Sequence, residues 1–231
     1  STSNPTPLSL REIRGQADAP LRLVLAVNGD TLPTWFFPAL AAVLAAEHVL
    51  LETHVDDQDH THALMASGEA VGCVSTRPDA MRGCPALPLG AMRFRLMAST
   101  AFAEKHFPRG LSRDGARVAP VVAASRKDRL HARAMEQRLG LAPEAIPCHY
   151  IGPPVPRFEA IRRSLGHGMV PELWLAARPD AQAELVDLLP QHPTDVELYW
   201  HGWKVQSPRL ERFTQRIVEA AQAVLQPATA T

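Results

Sequence analysis

The chain is poor in several features that define whole protein classes. It has three cysteines, Cys73, Cys84 and Cys148, with no CxxC spacing and an odd thiol left over. That argues against a disulfide-stapled secreted scaffold and predicts a reduced, cytoplasmic setting. Neither sign of charge is in excess, since 24 Lys and Arg balance 24 Asp and Glu. A nucleic-acid-binding module normally carries a basic surplus, so these residues are not expected to contact DNA themselves. The longest apolar stretch, Leu32–Ala46, is interrupted by Pro33, Thr34 and Pro38 and is too short to span a bilayer, so no membrane contact is expected. No basic segment followed by an apolar one opens the chain, so no secretory signal is visible. It begins Ser-Thr-Ser without Met, which suggests a fragment or a processed product. GxGxxG, P-loop and GxSxG motifs are also missing, so no cofactor and no catalytic constellation is expected.

What is present reads as a soluble globular protein, 46% hydrophobic and 21% charged over 231 residues. The chain is organised around residues 21–46. Leu21–Val27 is an apolar run of strand length, Asn28-Gly29-Asp30-Thr31 turns it, and a helix follows with Trp35, Phe36, Phe37, Leu40, Val43 and Leu44. Strand, tight turn, helix is the opening of a βαβ unit. In open parallel sheets ligands sit beyond the carboxyl ends of the strands, so Asn28, Asp30 and Thr31 are where a small molecule is expected. The turn offers N–H groups and a hydroxyl for a carboxylate, and Asp30 for an ammonium. Asp and Thr are equally ordinary helix caps, and both readings stand.

The remaining pattern repeats this unit. Residues 1–20, rich in Ser, Pro and Thr, read as a linker or arm. Two βαβ series of similar size follow, over 21–98 and 99–197, with strands expected at His48–Val55, Glu69–Ser75, Ala86–Gly90, Met92–Ser99, Arg117–Ser125 and Ile146–Gly152. The last strand and the amphipathic helix, over 198–231, can return to the first series. The fold class is therefore α/β, with two Rossmann-like lobes joined by crossing hinge strands and a cleft between them. The helix Thr34–Ala46 is apolar over more than one stripe, so it and strand His48–Val55 are expected to form a symmetric dimer contact. His54, His60 and His62 lie among Asp56, Asp57 and Asp59, but His-x-His on a helix start sends its rings to different faces. A solvated loop–helix junction is the preferred reading, and no metal is expected.

Several segments resemble the effector-binding domain of LysR-type transcriptional regulators: FFPALAAVL after the first strand, VLLETHVDD after that, and a short helix ending SGE. EAVGCVS, FAEKHFPRG, IPCHYI, and LYWH followed by SPRLERF look like the arginine/lysine-responsive branch, the chromosome replication initiation inhibitors. The resemblance runs from about Leu21 to Leu225. It implies a two-lobed fold of the type 2 periplasmic-binding-protein kind without enzyme activity, and a homodimer or tetramer. It also implies that promoter DNA is bound through an N-terminal winged helix-turn-helix, for which these residues show no matching stretch. The effector implied is a small amino acid, lysine or arginine, or a related carboxylate. By position its contacts are Asn28, Asp30, Thr31, Asp56, Asp57, Ser99, Thr100, Ala124 and Ser125.

The chain departs from the branch at two loops. ASRKDR stands where an acidic, aromatic-containing loop is expected, and PPVPRF where small hydroxyl residues are expected. Arg126, Lys127 and Arg157 would repel a cationic effector if they faced the cleft, which opens the site to a dicarboxylate or another anion. A transporter's solute-binding protein and an enzyme on the same scaffold, such as a small-acid dehydratase, are the other classes. An export signal would favour the first, and a base–acid constellation the second.

Overall fold

In the computed structural model, residues 19–55, 58–81, 83–204 and 206–228 are described. The first half carries β1 (Leu21–Val27), a π-helical turn (Leu32–Phe36), α1 (Phe37–Ala46), β2 (Val49–Val55), α2 (Gln58–Ala66), β3 (Gly72–Ser75) and β4 (Ala86–Ser99). Then follow α3 (Thr100–His106), α4 (Arg113–Val118), β5 (Val121–Ala123), α5 (Leu130–Leu139), β6 (Cys148–Tyr150) and α6 (Pro154–Arg162). The chain closes with β7 (Gly168–Pro171), α7 (Glu172–Ala176), α8 (Pro179–Glu184), β8 (Leu185–Asp187), β9 (Thr194–Gly202) and α9 (Pro208–Val224).

The main sheet runs β2-β1-β3-β9-β4-β7, with β8 also paired to β4. β2, β1 and β3 are parallel, as expected of βαβ units, while β9 pairs antiparallel with both β3 and β4. A parallel two-stranded sheet, β5-β6, is tied to the segment just before β7, where the Val122 N–H donates to the His167 carbonyl at 2.9 Å. Fourteen residues in β4 reach roughly 45 Å, enough to cross from one lobe to the other. β4 leaves the first lobe and β9 returns to it, and together they are the crossing strands.

Local chemistry accounts for most of these boundaries. Serines precede three helices, and each side-chain oxygen accepts a backbone N–H: Ser99 from Phe102, Ser112 from Gly115, Ser207 from Leu210. Gly140 ends α5 in the left-handed conformation, φ +62°. α9 buries Phe213, Ile217 and Ala221 at four-residue spacing, in one core with Phe36 and Leu40 of the first lobe. A second core, with Phe158, Ile161, Val170 and Trp174, sits in the other lobe.

Two sequence expectations change. The pair of strands expected at Ala86–Gly90 and Met92–Ser99 is one strand with an irregularity between Pro88 and Gly90. Gly90 has φ +120°, and a Cβ there would lie 2.5 Å from the Gln226 carbonyl, so glycine carries the bulge instead of ending the strand. The strand expected over Arg117–Ser125 keeps only Val121–Ala123, because the Ser112 cap starts a helix that runs to Val118.

Candidate functional site

The turn after β1 closes on itself. The Thr31 hydroxyl, fully buried, donates to the Asn28 side-chain carbonyl, and the Thr34 hydroxyl donates to the Asp30 carbonyl. Phe36 N–H reaches back five residues to the Thr31 carbonyl at 3.3 Å, the bond of a π turn. Pro33 favours this geometry because it has no N–H to give to the preceding turn. Thr31 therefore spends its hydroxyl on fixing Asn28. Among the described residues the Asp30 carboxylate has its partner outside the turn, in Arg157.

Opposite stands the loop after β5. Asp128 accepts from Ala124 N–H and from Leu130 N–H, both at 3.1 Å, so one carboxylate pins the loop and starts α5. The Ser125 hydroxyl accepts from Lys127 N–H at 3.2 Å, and the Arg126 guanidinium lies over the Tyr150 ring, 4.7 Å from its centroid. Between turn and loop lies a cavity of about 670 Å³. Asn28 and Asp30 line it from the first lobe, Phe94 and Tyr199 from the crossing strands, and Lys127, Asp128 and Arg133 from the second lobe.

The lobes touch at the turn. A Cβ on Gly29 would meet Pro154 of the second lobe at 3.9 Å. Arg157, on α6, donates through Nη2 to Asp30 Oδ1 at 3.1 Å and through Nη1 to the carbonyls of Ile151 (3.2 Å) and Gly152 (2.7 Å). Burial pushes the Asp30 carboxyl above its ordinary pKa, Arg157 pulls it back down, and Asp128 adds to the rise.

Of the nine expected contacts, Asn28 and Asp30 line the cavity, with Ala124 held beside it through Asp128. Ser125 is exposed at its edge and lines a separate cavity of about 60 Å³ with Tyr150. Ser99 and Thr100 lie beyond Phe94 on β4 and at the start of α3. Ser99 caps α3 and meets the Ser164 hydroxyl at 2.6 Å, and the exposed Thr100 hydroxyl reaches the Glu184 carbonyl at 3.5 Å. Asp56 and Asp57 lie outside the described residues. Asp128 and Tyr199 were not expected. Asp128 had a readable sign, an Asp two residues before a helix, but its place in the cavity depends on the opposing lobe. His54 Nε2 meets Glu52 Oε1 at 2.8 Å. Among the described residues no group of three metal-ligating side chains converges, and no helix is long and apolar enough to cross a membrane.

Two α/β lobes on crossing strands, with a polar cavity at their junction, define a type 2 periplasmic-binding-protein fold. LysR-family regulatory domains share it. The C-terminal domains of a LysR family protein from Agrobacterium tumefaciens superpose with a TM-score of 0.83 at 31% identity, covering 90% of this chain and 100% of that one. ArgP from Mycobacterium tuberculosis gives a TM-score of 0.84 at 34% identity, over 94% of this chain and 72% of that one. Full-length LysG from Corynebacterium glutamicum with bound effector Arg gives 0.77 at 31% identity, over 94% and 73%. In sequence, the HTH-type transcriptional regulator ArgP of Aeromonas salmonicida is 35% identical over 212 residues, 92% of this chain and 71% of that protein. The Escherichia fergusonii ArgP is 36% identical over 206 residues, 89% and 69%. No family model matches the chain. The chain belongs to the ArgP family of LysR-type transcriptional regulators. The family expectation holds, and the relatives are regulators, not solute-binding proteins.

Proposed function

We propose that the cavity between the lobes is the effector site of a transcription regulator and that a small amino acid or related carboxylate occupies it. The observation that carries this reading is the convergence on one cavity of Asn28 and Asp30 from the first lobe with the Asp128-pinned loop of the second. Thr31, Ala124 and Ser125 act by positioning that turn and loop. Asp56 and Asp57 lie outside the described residues and stay proposed as effector contacts, while Ser99 and Thr100 fix the start of α3 within the second lobe. LysG with its bound Arg supports an amino-acid effector. We divide the chain into a first lobe over 21–98 plus 198–231 and a second over 99–197, after an arm at 1–20. A ligand gripping both lobes would favour one relative arrangement of them, which is how binding energy becomes a shape change. DNA binding is assigned to a winged helix-turn-helix domain of the full-length, cytoplasmic regulator, and no catalytic role is assigned.

A thermal-shift screen of this chain against amino acids and small carboxylates tests the reading. A true effector at ~100 times its Kd should add roughly 2.7 kcal/mol of stability. Absence of a response across the screen would overturn it.

The dimer surface follows from exposure. Phe37, Leu50 and Val55 are each 45% exposed, and they lie on α1 and on β2, the edge strand of the main sheet. Apolar side chains along an unpaired edge are expected to be covered by a second copy, α1 against β2 in antiparallel fashion. Sedimentation equilibrium should give a dimer at micromolar concentration that Leu50→Lys converts to monomer. A wild-type monomer at high concentration would refute the assignment.

A further inference from the structure

Among the described residues Arg157 is the only buried arginine, 7% exposed, and it is not needed to build α6, where the neighbouring Arg162 and Arg163 bond to surface acids. Burying a guanidinium costs it its hydration, a loss tolerated only where its donors find other partners. Here they are met by a carboxylate of the other lobe, 127 positions away, and by two backbone carbonyls at the end of its own lobe's strand. A carboxylate and two carbonyls converging on one planar cation is the composition of a guanidinium-binding site. The occupant is supplied by the chain itself. The guanidinium itself lies over Phe158, its carbon 5.4 Å from the ring centroid. Asp30 is the acid that the cavity would otherwise offer to the positive charge of an amino-acid effector. The other acids described at that cavity are also engaged: Asp128 by Ala124 and Leu130 N–H, Asp195 by Nε and Nη2 of Arg93 at 2.8 and 2.9 Å, and Glu197 by a partner of its own.

We propose that Arg157 is a tethered occupant of the cation site between the lobes: it holds Asp30 from within, excludes free lysine and arginine from that carboxylate, and sets the cleft for small carboxylates without a cationic side chain. The inference rests on reading the cleft as the effector site. A tethered group competes at an effective concentration in the millimolar range or above, so a free cation of ordinary abundance does not displace it. The exposed Arg129 and Arg133 on the cavity wall bias it further toward an anion.

The test compares this chain with Arg157→Ala by thermal shift and calorimetric titration, using L-arginine, L-lysine, ethylguanidinium and a panel of dicarboxylates. Arg157→Met, which keeps an unbranched apolar chain without the charge, serves alongside it. Vacating the site should let arginine and ethylguanidinium bind about tenfold or more tighter than to wild type and raise the variants' melting temperature, and Asp30→Asn added to either variant should abolish the gain. Because melting is itself the readout, a variant that is unstable alone still reports, through rescue by ethylguanidinium. Equal affinity for arginine in wild type and both variants, or weaker affinity in the variants, would overturn the assignment. Dicarboxylate or amino-acid binding that neither Arg157→Ala nor Asp30→Asn alters would overturn it while leaving the effector reading in place. Rescue of the variants by ethylguanidinium and arginine, with no response of wild type to any amino acid or carboxylate, would uphold the Arg157 assignment and overturn the effector reading.

Discussion

Replacing Trp200 by alanine should cost about 3–5 kcal/mol, the range for large aromatics removed from a core. At roughly 2–4 °C per kcal/mol for a chain of this size, the melting temperature should fall by about 10 °C. Trp200 is fully buried on β9, at the centre of the main sheet, where it pairs with Val74 of β3. Its ring lies over Gly72: a Cβ there would meet ring carbons at 2.3 and 2.4 Å. Gly72→Ala alone should therefore also destabilise, by about 3 kcal/mol, the upper end for overpacking, because a rigid indole cannot yield like the tip of a flexible chain. With Trp200→Ala present, the new methyl faces the space the ring vacated. The second substitution should then cost less than about 0.5 kcal/mol, a coupling near the top of the range for residues in contact. Denaturant unfolding of the two single variants and the double variant measures this. Additive costs would show that Gly72 is not glycine on account of the ring.

The second lobe should lose stability on mild acidification. Among the described residues, His167 is fully buried with neither ring nitrogen bonded, and His131 Nε2 also lacks a partner. The two rings meet at 5.0 Å, T-shaped, with Phe107 at 5.3 Å and Phe102 at 5.9 Å from His167. His106 of α3 stacks on Phe102 at 4.4 Å. Burial lowers the pKa of His131 to about 4, with nearby Asp128 raising it in part. Burial pushes His167 well below 6.5, and His131 and His106 push the same way. Both rings are thus neutral in the folded chain, and the unfolded chain takes up protons first. The stability they allow is complete above about pH 6.5 and drains away as pH falls toward 4. His131 alone accounts for a loss on the order of 3 kcal/mol over that window. His167→Phe keeps an aromatic ring in the Phe102–Phe107 cage and removes one proton site and two unmet nitrogens. Unfolding midpoints from pH 7.5 to 4.5 should fall more gently for this variant than for wild type. Parallel curves would exclude the pair as the source of acid sensitivity.

Much of this architecture is legible in the sequence, because the signals act over a few residues. An apolar run ending in Asn-Gly-Asp-Thr before a helical pattern announces β1, its turn and α1. Ser207-Pro208 and Gly140 mark helix ends, and the structure uses both. That Asn28 and Asp30 line the cavity between the lobes is readable for the same reason, since a turn after a parallel strand lies at the sheet's carboxyl edge whatever the rest of the fold does. Ser99 illustrates the limit. The sequence places it at the start of a helix, equally ready to cap that helix or to meet a ligand, and only the position of Ser164 and of β4's far end shows it capping.

By itself, then, the sequence determined the element types, the two repeated βαβ series and the family, all of which depend on periodicity, caps and short motifs. Tertiary structure decided what meets across the fold. Gly90 carries a bulge because the Gln226 carbonyl passes close by, so β4 runs through both lobes. His131 and His167 are neutral because both are buried against each other, with Phe102 and Phe107 packed on His167. Arg157, readable only as a charge on an amphipathic helix, is a buried bridge because strand order brings its helix opposite Asp30. Charge and spacing along the chain are local quantities. Burial, and the partner that makes burial of a charge tolerable, depend on which surfaces the sheet topology brings face to face.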